Sequence, residues 1–112
     1  MAQKSITYYV QTPAIDALCE QYGSHWQNMP HLEKLAIASA ASQAVFNAES
    51  ELYAGLFESE VSISYLATWE GFEFSNHDQV VKLLTRLDEE LDAPMTTNLV
   101  IGICSNLNFT QD

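Results

Sequence analysis

Val61-Ser62-Ile63-Ser64-Tyr65 is the stretch whose reading decides the fold. Apolar and polar residues alternate strictly, which is the period of a half-buried β-strand. Tyr65, Ala67 and Trp69 carry the apolar face onward, Gly71 interrupts it, and Phe72-Glu73-Phe74 resumes the alternation. The stretch predicts a bulged strand or a short hairpin turning near Glu70-Gly71. On such a strand Glu60, Ser62, Ser64, Thr68 and Glu70 share the polar face.

Working outward, two further segments read as strands. Ile6-Thr7-Tyr8-Tyr9-Val10 is β-branched and aromatic, and Asn98-Leu99-Val100-Ile101-Gly102-Ile103-Cys104 is a continuous apolar run suited to the centre of a sheet. Helical signals separate them. Thr12-Pro13 has the form of an N-cap followed by proline at the first helical position, Ile15, Leu18, Cys19 and Tyr22 share one face, and Gly23 suits a C-cap. A long helical pattern covers about 30–57, with Ala and Ser dominating 36–44. Ser75 or Asn76 starts a helix over 76–91, whose stripe is Val80, Val81, Leu83, Leu84, Leu87 and Leu91, and Asp92-Ala93-Pro94 stops it. The order β-α-α-β(β)-α-β predicts a two-layer α+β domain over residues 1–112. Three helices would pack on a three- or four-stranded, mostly antiparallel sheet, with Leu35, Val45, Leu84, Leu87 and Ile101 in the core.

Charge bounds the function. Fifteen Asp and Glu oppose four Lys and Arg in 112 residues, a net charge of −11. A chain of that sign is repelled by nucleic acid and by anionic membranes, and attracted to basic surfaces. Residues 1–56 hold five acids and two bases, net −3, whereas 57–112 hold ten acids and two bases, net −8. Glu58, Glu60, Glu70 and Glu73, with Trp69 among them, combine carboxylates with an aromatic anchor, a composition suited to docking a basic partner. Asp88, Glu89 and Glu90 fill the last turn of the helix over 76–91, with Asp92 just beyond. Acids there oppose the helix dipole, so neutralising them should leave stability unchanged or slightly higher, and their presence suggests another use.

Catalytic signals are sparse. There is no CxxC pair, Cys/His cluster of zinc spacing, phosphate-cradling glycine loop, GxSxG or HExxH. Asp16 and Glu20 at i, i+4 with His25 downstream form a trio that could ligate a metal, but acids at this spacing ordinarily face solvent. Cys19 with His25 or His31 would be a nucleophile–base pair only if folding joined them. No cofactor or metal is expected. Met1–Tyr9 has one lysine and no sustained apolar stretch, and no run approaches a membrane span, so a cytoplasmic location is the expectation. Asn108-Phe109-Thr110 matches a glycosylation sequon without a secretory context.

These features predict a small acidic binding module, not an enzyme, that occupies a basic surface of a partner such as a nucleic-acid-binding protein. Inhibitors, immunity proteins and DNA mimics, including those of phage and mobile elements, share its size and charge. The alternative is a structural or accessory subunit that acts as a homo-oligomer, such as a homodimer, through the Ala/Ser-rich helix over about 30–57, with Ala40 and Ala44 at the seam.

Overall fold

The computed structural model describes residues 4–49, 62–68 and 71–107. Among them the chain forms six helices and no strand: α1 Ile6–Tyr9, α2 Pro13–Tyr22, α3 His31–Glu49, α4 Ile63–Ala67, α5 His77–Glu90 and α6 Ala93–Ser105. The expected α+β sandwich is overturned. Residues 50–61, 69–70 and 108–112 lie outside the described residues. With them go the end of the predicted long helix, the Asn108 sequon, Val61, Glu58, Glu60, Trp69 and Glu70.

Each misassigned strand has a local reason to be helical. Ser62 caps α4, its hydroxyl accepting from the Tyr65 N–H at 3.2 Å. The apolar residues Ile63, Leu66 and Ala67 fall at i, i+3, i+4, so helical spacing hides inside the apparent alternation. Residues 98–104 belong to the 13-residue α6, which buries Thr96, Leu99, Gly102 and Ile103. Asp92 does stop α5, but it also starts α6, accepting from the Met95 N–H at 2.9 Å. Proline stands in the first helical turn, as in the Thr12-Pro13 start of α2. Residues 6–9 form one turn that buries Ile6, and the adjoining Val10 is also buried.

The helices expected from periodicity are present. Thr12 caps α2 by accepting from the Ile15 N–H at 3.3 Å. Gly23 ends α2 at φ 98°, ψ 159°, a conformation open essentially to glycine alone. At the start of α5, Asn76 occupies the cap position in a left-handed conformation with no side-chain cap bond. His77, the first helical residue, ties the helix to the incoming chain, its Nδ1 accepting from the Phe74 N–H at 3.1 Å.

Helix α3 is the central element, packed against α4 and α6, while α2 and α4 lie on α5, and α1 lies on α6. Its inner side is made of small residues around one isoleucine: Ile37, Ala38, Ala40, Ala41 and Ala44 are all buried. Small side chains let neighbouring helix backbones approach closely. Gly102 serves α1 in the same way, since a Cβ there would stand 3.0 Å from the Tyr9 ring. Of the five residues expected in the core, Leu84 and Leu87 are fully buried and Val45 half-buried, whereas Leu35 and Ile101 are exposed. Ala40 and Ala44, expected at a self-association seam, are buried within the chain.

Candidate functional site

The acids at the end of α5 meet the N-termini of three other helices. Asp88 reaches α4: Oδ1 accepts from the Ile63 N–H at 2.6 Å, and Oδ2 accepts from the Ser64 N–H at 3.2 Å and the Ser64 hydroxyl at 2.7 Å. Glu90 reaches α2, where Oε1 accepts from the Ala14 N–H at 3.0 Å, while Oε2 lies 3.5 Å from the Arg86 guanidinium. Asp92 caps α6. The first N–H groups of a helix have no partner inside it and carry partial positive charge. Three carboxylates that oppose the dipole of α5 are thus matched to the positive ends of α4, α2 and α6. The expectation that neutralising them is harmless is corrected for Asp88 and Glu90. Glu89 is exposed, and for it the expectation is left to measurement.

A fourth carboxylate works alike from α3. Glu33 is 5% exposed, and its Oε2 accepts from the Ser75 N–H and the Ser75 hydroxyl, both at 2.9 Å. This holds the turn that launches α5. No sequence spacing links Glu33 to Ser75, 42 residues apart, so the pairing has no local signature.

Electrostatics follow from these contacts. Partial desolvation tends to raise the Glu90 pKa. The Thr12 hydroxyl, the Ala14 N–H and the Arg86 charge outweigh it, holding the carboxyl below the usual glutamate range. A carboxyl depressed on folding adds stability above its unfolded pKa, near ~4.3, and that stability is lost as pH falls through the folded value. The stability gap between wild type and Glu90→Gln, measured by urea unfolding, should therefore be widest at neutral pH and close in acid. A gap that stays constant with pH would show that the Glu90 charge does no such work. Burial pushes the Tyr22 hydroxyl up, helped by the Glu33 charge, and pushes the buried Lys34 amine down.

Of the catalytic candidates, Cys19 and His25 each contact Ser24, and His31 is exposed at the start of α3. Burial, offset in part by Trp26, pushes the Cys19 thiol up, and its Sγ faces the Ser24 carbonyl at 3.9 Å. His25 Nδ1 lies 3.0 Å from the Ser24 hydroxyl. Among the described residues no three His, Cys, Asp or Glu side chains group as metal ligands, and Asp16 and Glu20 point to solvent.

With the capping carboxylates set aside, the exposed acids define the candidate site. Among the described residues these are Asp16 and Glu20 on α2, Glu49 on α3, Glu73 before α5, and Asp78 and Glu89 on α5. Helices α2 and α5 run antiparallel, since Ala14 meets Glu90 at one end while Gln21 and Asn76 share a hollow at the other. Two shallow hollows follow their junction, with Glu20 on the first and Asp78 on the second. Positive charge is scarcer at the surface than in the composition: Lys34 is buried and Arg86 is paired with Glu90, leaving Lys4 and Lys82 exposed. Of the expected aromatic–acid cluster, Glu73 is exposed, but Phe74 is core and stacks edge-on with Phe72. Sequence reasoning placed Asp16 and Glu20 only in a metal trio. The hollow that sets Glu20 beside Asn76 and Gln79 of α5 depends on the α2–α5 packing.

The chain matches no family model, and no curated protein or solved structure is significantly similar to it. No helix among the described residues is long and apolar enough to cross a membrane.

Proposed function

We propose that the protein is a binding module that presents carboxylates to a basic surface of a partner protein, such as the nucleic-acid-binding face of an enzyme. The surface imbalance carries this reading. Six exposed acids outside the capping set face two exposed lysines among the described residues, on a chain of net charge −11. A field of one sign speeds encounter with an oppositely charged surface and rejects nucleic acid. Inhibitory, immunity-type and DNA-mimicking proteins work on this chemistry.

Glu20, Glu73 and Glu89 are the residues to test, being exposed and outside the capping contacts. Glu20 and Glu89 lie in the last turns of α2 and α5, where a negative charge opposes the dipole. Converting all three to Gln should keep or slightly raise thermal stability. It should also slow association with a partner recovered from the native host and flatten its salt dependence. Binding that is unchanged across the salt range would leave the acidity as a solubility feature and end this reading.

A further inference from the structure

The hollow between the end of α2 and the start of α5 adjoins a group of buried polar atoms. Ala17, Glu20 and Gln21 of α2 meet Asn76 and Gln79 across it. Gln21 is followed by Tyr22, and Asn76 is preceded by Ser75, which Glu33 of α3 holds. Tyr22 and Glu33, 6% and 5% exposed, therefore stand next to its two walls. They are also close to one another, since the Glu33 charge acts on the Tyr22 hydroxyl. The Gln21 amide nitrogen and oxygen, the Tyr22 hydroxyl and the Glu33 Oε1 are all shielded from solvent, and none makes a hydrogen bond of good geometry. Asn76 likewise has no side-chain cap bond. A buried carboxylate oxygen left unbonded is costly, and a cation that donates to it removes that cost.

We propose that this hollow is the socket for a lysine side chain of the basic partner. The inference rests on the binding-module reading and names the contact at its centre. Chemistry selects the occupant. An ammonium is a compact cation with three donors and no acceptor, whereas the guanidinium of arginine is a wide planar fork. Three acceptor atoms stand unbonded, Gln21 Oε1, Tyr22 Oη and Glu33 Oε1, and the last belongs to a carboxylate. A neutral donor would leave that charge unbalanced, and an anion would be repelled by Glu20 and Glu33 alike. The four-carbon stem of lysine lies along Ala17 and the aliphatic part of Gln79, with Glu20 at the rim to draw the charge in. Because the acceptor atoms are shielded, the Gln21 side chain turns to admit the head group. It is a long side chain in the last turn of α2, and no hydrogen bond of good geometry holds its amide.

Titrating the intact chain with n-butylammonium chloride tests the socket, with tetramethylammonium chloride at equal ionic strength as the control. The two cations carry the same charge, but only the first has N–H donors. Butylammonium should shift the backbone amide resonances of Gln21, Tyr22, Ser75 and Asn76 and saturate in the millimolar range, as suits so small a ligand. Tetramethylammonium should leave them in place. The capped peptide Gly-Lys-Gly should shift the same resonances, and its arginine counterpart should bind several-fold more weakly. Tyr22→Phe and Glu33→Gln should each weaken butylammonium binding about tenfold, the usual effect of losing a hydrogen bond to a charged group. Glu33→Gln keeps an oxygen for Ser75, so its helical circular dichroism should match wild type. Should that variant lose helicity, Tyr22→Phe, which deletes only the hydroxyl, decides the matter. Equal shifts with both ammonium salts, shifts confined to other parts of the acidic surface, an arginine peptide that binds as well as the lysine one, or binding undiminished by Tyr22→Phe would each overturn the proposal. Those outcomes leave the salt-dependent steering by Glu20, Glu73 and Glu89 standing, so the two readings fail separately.

Discussion

Leu84→Ala should lower the unfolding free energy by about 2–5 kcal/mol, the range for deleting a fully buried leucine and leaving a cavity. Leu84 is 0% exposed on α5, the helix that packs against both α2 and α4. Val80 and Leu87, on the same stripe, are equally buried, so there is little slack for the site to collapse into. Urea denaturation measures the loss. Ile101→Ala is the matched contrast, since Ile101 is 47% exposed and less apolar surface is uncovered. A loss below about 1 kcal/mol at Leu84, under the range for buried leucines, would mean that α5 faces the other way.

Asp88→Ala should cost about 1–3 kcal/mol, because it strips the acceptors from donors in part-buried surroundings. The Ile63 and Ser64 N–H groups and the Ser64 hydroxyl would all lose their bond to that carboxylate. Ser62 would still cap the Tyr65 N–H, so α4 should loosen at its first residues and not unfold throughout. Hydrogen exchange at Ile63 and Ser64 reads the local effect, and thermal unfolding reads the global one. Glu89→Ala, one residue away and exposed, should stay within about 0.5 kcal/mol of wild type, as surface changes do. Equal costs at the two positions would show that the end of α5 responds only to its total charge. That outcome would remove the capping account of Asp88.

The sequence by itself determined the elements whose signals are complete within one short window. Helix α2 is legible because Thr12, Pro13 and Gly23 bracket an apolar face of helical spacing. Helix α5 is legible from its Val and Leu stripe, and the acidity of the surface from a count of charges. Residues 61–67 and 98–104 were ambiguous for a physical reason. An alternating or continuous apolar run can be buried as a strand or as a helix, and burial against a neighbour is what decides. For α6 the local evidence was present, since Asp92-Ala93-Pro94 has the same cap-and-proline form as Thr12-Pro13 and starts a helix as well as ending one. For α4 it was only partial, because Ser62 is a local cap but the other cap, Asp88, is 25 residues away in sequence. The carboxylates at the end of α5 divide in the same way. Their conflict with the dipole of their own helix is visible in the sequence. That Asp88, Glu90 and Asp92 satisfy the N-termini of α4, α2 and α6, leaving Glu89 in solvent, was decided only when the helices packed. A helix end's unpaired N–H groups are a local fact, and the group that satisfies them can come from anywhere in the chain.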